Sequence, residues 1–365
     1  MVRMLTVVLD TNALRSDPWL AGAPGKKLLE LAARGHATVV YPQVVIDELR
    51  RQRREAANHA HEQAAKGVGD MAKAGVDVTQ TAAHLKASFE QIEADLDAAF
   101  EAVLNRDNVA VAPVPDVSAT AILKRDLARR RPFMEIDAKQ KLVSVGFRDT
   151  LIWETVLAVL GQLGDDEKVL FVTADKGFLS GDSRTIHHDL LTDLDEHKLD
   201  RRRVGSAKNI LNAIAEVEAT AAHVALVAAA TNALYALAGE EISQQMVYGG
   251  DYEYPEFVQF ELPAMETCSI SDIDQVTEFE FDEDETTHTV TATAEALINL
   301  EGAVFKGDWF IDEGETMSLY GELNDHYFEA NSEVAVQVVV ELDTSGDTAD
   351  VQSIVLRSRQ ARASS

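Results

Sequence analysis

The segment Leu5–Asn12, with the sequence LTVVLDTN, contains the pattern that decides the fold class. A short run of apolar and β-branched residues leads directly into Asp10, and a turn follows it. Such a run predicts a buried strand. Asp10 is therefore expected at the carboxyl end of that strand.

The same alternation of apolar runs and helical patterns continues downstream of this strand. A helical spacing over Gly25–Arg34 is followed by a second apolar run, Thr38–Tyr41, and then by a helix that starts near Val44. Val169–Thr173 has the composition of a third strand. Strands that alternate with helices predict an α/β fold with a parallel sheet flanked by helices.

A long helical insertion interrupts this pattern. Residues 50–105 are rich in Ala, Glu, Gln and Lys and contain no proline, which predicts two long helices broken near Gly75. Such a length is unusual between the strands of a compact α/β unit. We expect an arm or helical hairpin that projects beside the sheet.

The sequence changes character after residue 206. Ala-rich helical sequence gives way to runs with period-2 alternation, such as Thr287–Ile298 and Val334–Leu342. We therefore predict an α/β domain over 1–206 and, over 207–365, an α+β domain with mainly antiparallel strands. Acids outnumber bases by 31 to 5 in residues 207–365 but only by 31 to 28 in residues 1–206. The net charge of −29 is thus concentrated in the second domain.

Four acidic residues occupy positions that a parallel sheet brings to one edge. Asp10 and Asp175 follow apolar strands, and Glu48 and Asp149 lie near helix starts. Open α/β sheets bind ligands at the carboxyl ends of their strands. Crowded carboxylates need a cation, and hard Mg²⁺ or Mn²⁺ suits oxygen ligands better than zinc does. Such an ion can activate water against a phosphodiester.

Four segments resemble the successive motifs of PIN-domain ribonucleases. They are the turn Leu9–Asn12, the helix start Pro42–Leu49, the segment Gly146–Trp153 and the strand end Val172–Phe178. The resemblance covers about residues 4–200. It implies a parallel sheet between helices, a site for Mg²⁺ or Mn²⁺, and RNA as the substrate. Asp10, Glu48, Asp149 and Asp175 fall on the four acidic positions.

The same resemblance implies further site residues. Asn12 and Thr173 fall on polar positions that commonly support the acids, and Asp182 is a candidate for a further acid after the fourth. The resemblance also suggests a role in a toxin, stress or phage-defence setting.

Two basic clusters beside the acids predict where RNA phosphates bind. The arginines assigned to this role are Arg50, Arg51, Arg125, Arg129, Arg130 and Arg148. A solvated helix face is the alternative for each cluster. The acidic second domain is expected to repel nucleic acid. Four roles remain open for it: masking the basic surface, recognition of a basic protein partner, homo-oligomerisation, or simply keeping the protein in solution.

Composition gives two expectations about location. The sequence lacks a signal-peptide pattern and has a single cysteine, Cys268, which predicts a cytoplasmic protein. No stretch has the uninterrupted apolar length of a membrane span, so no membrane association is expected.

Two other functions compete with the ribonuclease hypothesis. One is a non-catalytic binding or scaffold protein that retains the fold, and metal titration separates it from an enzyme. The other is a DNA-directed nuclease of the same architecture, which matched RNA and DNA substrates distinguish.

Overall fold

A computed structural model describes most of the chain, and its contacts form two compact units. The described residues are 5–138, 141–181, 185–243, 245–246, 252–263, 265, 267–284, 286–311, 317–346 and 348–358. The N-terminal unit is Met1–Ala221 and the C-terminal unit is Ala222–Ser365.

A five-stranded parallel sheet forms the centre of the N-terminal unit. Its strands are Leu5–Leu9 (β1), Ala37–Pro42 (β2), Val109–Ala112 (β3), Lys168–Val172 (β6) and Val204–Ala207 (β7), in the order β3-β2-β1-β6-β7. The middle strand β1 is buried at every position, which explains its unbroken apolar sequence. The parallel register places the carboxyl ends of β1 and β6 side by side, with Leu9 opposite Val172.

Helices flank this sheet. They are Ala23–Ala33 (α1), Gln43–Lys73 (α2), Thr79–Leu104 (α3), Ala119–Leu127 (α4), Phe147–Gln162 (α5) and His188–Glu196 (α6), with a 3-10 turn at Arg201–Arg203. Trp153, Val156 and Leu160 share one buried face of α5 and pack in a core that includes Phe171 of β6. The predicted α/β class with a helix-flanked parallel sheet is confirmed.

Helices α2 and α3 form the predicted helical pair. Salt bridges join Arg50 to Asp97 and Arg54 to Glu93, so the beginning of α2 lies beside the end of α3 and the two helices run antiparallel. The chain reverses at Gly75, whose φ is 85°, a backbone conformation that glycine adopts at little cost.

A small antiparallel hairpin precedes α5. Met134–Ala138 (β4) pairs with Lys141–Val145 (β5). The sequence analysis did not predict this hairpin, and its return strand leads directly into Gly146 at the start of α5.

An eight-stranded, mainly antiparallel sheet dominates the C-terminal unit. The strands of the unit are Glu241–Ser243 (β8), Gln245–Met246 (β9), Tyr252–Glu253 (β10), Val258–Gln259 (β11), Thr267–Asp274 (β12), Glu280–Asp284 (β13), Thr289–Phe305 (β14), Ser318–Glu322 (β15), Tyr327–Asp343 (β16) and Asp350–Ser358 (β17), with one short helix, Lys306–Ile311 (α8). The large sheet has the order β11-β17-β16-β14-β12-β8, with β13 on β14 and β15 on β16; β9 and β10 pair separately. Along β14 every second side chain is buried over most of its length, as the period-2 pattern predicts.

The helix Ile210–Tyr235 (α7) crosses the division between the two units. Ala213, Ile214 and Val217 pack in the N-terminal core, which is why the contacts divide after residue 221 and not after residue 206. By length and a mean hydropathy of 1.5, α7 passes the test for a membrane-spanning helix. The core helix of a soluble protein passes the same test, so this property alone does not show a membrane.

Candidate metal centre

Asp10 lies at the carboxyl end of β1 and is almost fully buried, with 3% of its surface exposed. Its Oδ2 accepts a hydrogen bond from the Thr173 hydroxyl at 2.7 Å, and its Oδ1 accepts one from the Thr11 backbone N–H at 2.7 Å. The Asp10 backbone N–H donates to the Val172 carbonyl at 3.0 Å. The ends of β1 and β6 therefore hold this carboxylate in one orientation.

Thr173 connects Asp10 to Asp175. Its Oγ1 donates to Asp10 and accepts the Asp175 backbone N–H at 3.0 Å. Asn12 adds a second link, because its Oδ1 accepts the Ala174 N–H at 3.0 Å. Asn12 and Thr173, the two residues predicted to support the acids, thus hold the two strand ends together. Thr173 is buried and Asn12 is half-buried.

Glu48, on the first turns of α2, faces the same strand end. Its Oε2 accepts a hydrogen bond from the Thr11 hydroxyl at 3.1 Å, and its Oε1 accepts one from Gln52 at 3.2 Å. Oε1 also forms a salt bridge with the guanidinium of Arg148. Arg148 was predicted to bind nucleic acid, and here it is the counter-charge of a predicted metal ligand.

Asp149 enters the site from the first turn of α5, and Gly146 fixes where that helix begins. Gly146 has a φ of 131°, and a Cβ at this position would lie 2.7 Å from the Phe133 Cα and 2.9 Å from the Pro132 carbonyl oxygen. Only glycine permits this approach. The close packing positions the half-buried Asp149 carboxylate.

Electrostatic coupling links all four carboxylates, and we call Asp10, Glu48, Asp149 and Asp175 the acidic quartet. Burial raises the pKa of Asp10 to about 7; the Thr173 hydrogen bond opposes this rise, whereas the charges of Asp149 and Asp175 add to it. Burial also raises the pKa of Asp149 to about 6, with further contributions from Asp175 and Glu48 and an opposing one from Arg148. These couplings place the four carboxylates near one another at one end of the parallel sheet, and their role as metal ligands stays a prediction.

The acidic quartet fits a hard divalent cation that keeps part of its water shell. Four carboxylates face one described salt bridge, Glu48–Arg148, so the donors carry excess negative charge and offer only oxygen. In the described part of the chain, the potential ligand atoms that all lie within 4.8 Å of one another belong to a different set, His187, His188 and Asp189. The carboxylates of the quartet are thus more widely spaced than this set, and a divalent cation there would be held by carboxylate oxygens and water together.

Asp182, predicted as a further acid of the site, lies outside the described residues. Thr11, by contrast, was not singled out, although its backbone N–H and its hydroxyl reach two of the acids, Asp10 and Glu48. Its position between Asp10 and Asn12 in the turn was the signal that could have identified it.

Arg125 and Arg130 are both engaged by carboxylates of the chain, and for Arg125 this contradicts the predicted role. The Arg125 side chain is 10% exposed and forms a salt bridge with the Asp193 side chain, which is 4% exposed. Arg125 also donates a hydrogen bond to the Arg131 carbonyl at 2.7 Å. Arg130 binds Asp193 at 2.6 Å and Glu196 at 3.0 Å. The Trp153 indole N–H also donates a hydrogen bond to Asp193 Oδ2 at 2.9 Å. Arg125 in particular is a buried structural residue and not a phosphate ligand, a correction that follows from its burial.

The other predicted phosphate ligands also have carboxylate partners. Arg129 binds Asp126 at 2.9 Å and Glu135 at 2.7 Å. The remaining pairs are Arg50–Asp97 at 3.3 Å and Arg51–Glu55 at 2.6 Å. These pairs are partly exposed, and exposed salt bridges contribute little stability. Each arginine is nevertheless less available to RNA than its sequence position indicates.

Comparison with known proteins identifies one family. The family model described as PIN domain matches residues 7–178. No curated protein and no solved structure matches the chain. The family match covers all four members of the acidic quartet and confirms the resemblance inferred from the four motifs.

Proposed function

Because residues 7–178 match the PIN-domain family model, we propose that the protein is a metal-dependent endoribonuclease that hydrolyses phosphodiester bonds of single-stranded RNA. PIN domains are usually metal-dependent nucleases that act on nucleic acid, and this general activity follows from the family. The choice of RNA, the preference for Mg²⁺ or Mn²⁺ and the cytoplasmic location are parts of the proposal.

One observation carries the proposal. Asp10 is 3% exposed and electrostatically coupled to Asp149 and Asp175, and no cationic side chain among the described residues forms a salt bridge with any of these three. A buried carboxylate without an internal counter-charge is costly. A divalent cation that binds the quartet removes this cost.

The chain itself would hold and orient the reacting groups. A bound Mg²⁺ or Mn²⁺ would supply Lewis-acid charge and would lower the pKa of a bound water, so that hydroxide is available near neutral pH to attack phosphorus. Asp10 and Asp175 would hold the ion from the strand ends, while Thr173 orients the Asp10 carboxylate and fixes the backbone of Asp175. Glu48 and Asp149 face the same space from α2 and α5, where either can orient water or accept its proton.

The deciding experiment compares an Asp-to-Asn substitution in the acidic quartet with the same substitution at an exposed position far from it in the same domain. Wild-type protein, Asp149→Asn and Asp70→Asn are incubated with single-stranded RNA in Mn²⁺ or in EDTA. Asp70 is an exposed acid near the far end of α2, about 33 Å along the helix from Glu48. We expect Asp149→Asn to lower cleavage at least about 100-fold, because the metal's stabilisation of the transition state amounts to several kcal/mol.

The controls separate this proposal from its competitors. Asp70→Asn should cleave at the wild-type rate, and EDTA should stop cleavage by both proteins. Undiminished cleavage by Asp149→Asn contradicts the proposal, and cleavage of a sequence-matched DNA strand in preference to RNA favours a DNA-directed nuclease. Absence of both cleavage and Mn²⁺ binding favours a scaffold that retains the fold.

A protein partner or a homo-oligomer contact through the acidic C-terminal unit is a further part of the proposal. Its support is the excess of 31 acids over 5 bases in residues 207–365, which favours a basic partner over nucleic acid.

A further inference from the structure

Arg131 and Lys176 differ from the arginines that the sequence assigned to RNA binding. Each of those six arginines forms a salt bridge with a carboxylate. Among the residues the structure describes, Arg131 and Lys176 form none. Lys176 is exposed and directly follows Asp175 of the acidic quartet.

Two contacts bring Arg131 to the same edge of the site. Its Nη1 donates a long hydrogen bond of 3.4 Å to the Lys176 carbonyl. The turn after Asp175 also packs against Pro132, because a Cβ on Gly177 would lie 3.4 Å from the Pro132 carbonyl oxygen and 3.1 Å from the Asp175 Oδ1. The guanidinium of Arg131 therefore lies next to the turn that carries Asp175.

The backbone of Arg131 is fixed, whereas most of its side-chain donors remain available. Its N–H donates to Asp189 Oδ2 at 3.0 Å, and its carbonyl accepts from buried Arg125 at 2.7 Å. A guanidinium has five N–H donors, and the bond to Lys176 uses one of them weakly. A fixed backbone with free donors is what a phosphate-binding arginine requires.

The negative charge of the quartet explains why RNA binding needs cationic side chains such as Arg131 and Lys176 nearby. RNA must bring a phosphate to four carboxylates that repel it, and a divalent ion only partly offsets their charge. We propose that Arg131 and Lys176 form a phosphate-binding subsite for single-stranded RNA beside Asp175, a subsite that binds a backbone phosphate adjacent to the scissile one. This inference rests on the proposed ribonuclease function and identifies two residues that would bind the RNA backbone beside the metal centre.

The test measures RNA binding and not turnover. Fluorescence anisotropy with a short single-stranded RNA is recorded over a series of salt concentrations, with every variant in the Asp149→Asn background so that the RNA stays intact. The test variant is Arg131→Ala with Lys176→Ala. The matched control is Lys168→Ala with Arg202→Ala, which removes the same two charges. Lys168 begins β6 and Arg202 precedes β7, so both lie at the opposite edge of the parallel sheet.

Each phosphate contact to single-stranded nucleic acid contributes about 0.7 to the slope of log K against log salt. Loss of two contacts should lower the slope by about 1.4 and weaken binding, whereas the control should keep the slope of its parent. Arg131→Lys with Lys176 intact should restore most of the slope, because a lysine preserves the charge. Thermal unfolding of all variants checks that the fold is retained.

Three outcomes overturn the inference, and they differ in what they mean for the nuclease. If the test variant keeps the parental slope while wild-type protein still cleaves RNA, the phosphate subsite lies elsewhere and the proposed function stands. An equal loss of slope in the test and control variants shows general electrostatic attraction and no subsite. If the wild-type protein neither binds nor cleaves RNA, the subsite and the proposed function both fail.

Discussion

The N-terminal unit holds two groups of buried or half-buried carboxylates, and their charges are balanced in different ways. Asp193, 3% exposed, is surrounded by donors of this chain: the guanidinium groups of Arg125 and Arg130 and the indole N–H of Trp153. Asp10 is equally buried, but its neighbours Asp149 and Asp175 are acids, and its donors are uncharged.

The difference separates a structural carboxylate from one that needs an external cation. Around Asp193, Arg125 and Arg130 supply positive charge, which Arg130 shares with Glu196, so the Asp193 carboxylate has its counter-charges within the chain. Around the acidic quartet, Arg148 is paired with Glu48 and only partly offsets the rise in the pKa of Asp149. Burial and repulsion between the acids therefore raise the pKa of Asp10 and Asp149. Perturbed pKa values of this kind concentrate at functional sites.

The largest expected effect is on stability and concerns Asp193. Asp193→Ala should lower the free energy of unfolding by about 3–5 kcal/mol, because Arg125 would keep a buried charge with no carboxylate partner. Urea unfolding measures this change. Asp195→Ala, which removes an exposed acid two positions along the same helix, is the control and should have little effect. A similarly small effect of Asp193→Ala would contradict the claim that Asp193 stabilises the fold by balancing the charge of Arg125.

The next effect is the pH dependence of metal binding. Metal and protons compete for the carboxylates, so the affinity for Mn²⁺ should rise with pH through the pKa of Asp149, about 6, and that of Asp10, about 7. We expect a gain of at least about 10-fold between pH 5.5 and 7.5, with a plateau above that range. Calorimetric titration at several pH values measures it, and an affinity that does not change with pH would contradict the raised pKa values.

A smaller effect is expected on the stability of the metal-free protein. Between the ordinary pKa of 3.8 and the folded value of about 7 for Asp10, the folded state binds more protons than the unfolded state, so stability falls as pH rises. Asp10→Asn removes this penalty and should raise the Tm in EDTA at pH 8 by a few degrees. The gain should disappear near pH 4, where Asp10 is protonated in the folded protein. A lower Tm at pH 8 would show that the Asp10 charge is already balanced within the chain.

The smallest effect concerns Arg148, whose side chain is 52% exposed. Arg148→Ala removes the counter-charge of Glu48, so the Mn²⁺ affinity should rise a few-fold. Arg51→Ala, which disrupts the exposed Arg51–Glu55 pair on α2, serves as the control. A weaker Mn²⁺ affinity in Arg148→Ala would mean that Arg148 supports the metal centre and does not compete with the ion.

The sequence was sufficient to predict the positions of the quartet in the fold, because the order of strands and helices along the chain decides which edge of a parallel sheet a residue occupies. An acid at or shortly after the end of a parallel strand, as after β1 and β6, lies at one edge of the sheet, and a helix that leads into the next parallel strand starts at the same edge, as α2 and α5 do. Asp10, Glu48, Asp149 and Asp175 could be identified without knowing any contact between them. The same reasoning gave the helical pair α2 and α3 and the alternating strands of the C-terminal unit.

The roles of the basic residues could not be predicted because they depend on distant partners. Arg125 is exposed or buried according to whether Asp193 on α6 lies beside it, and no local pattern encodes that contact. Arg131, its neighbour in the same cluster, has the same charge and a different environment. The β4–β5 hairpin was missed for a related reason. Its two strands pair with each other and lead to the close contact between Phe133 and Gly146, and this contact between distant residues leaves no apolar pattern in the sequence.

A crystal of the protein soaked in Mn²⁺ tests the central claim most directly. The account predicts an anomalous difference peak among the carboxylates of Asp10, Glu48, Asp149 and Asp175, bound through oxygen and water, and no such peak at Asp193. No peak at the quartet at millimolar Mn²⁺, with the four carboxylates balanced by side chains of the protein, would contradict it.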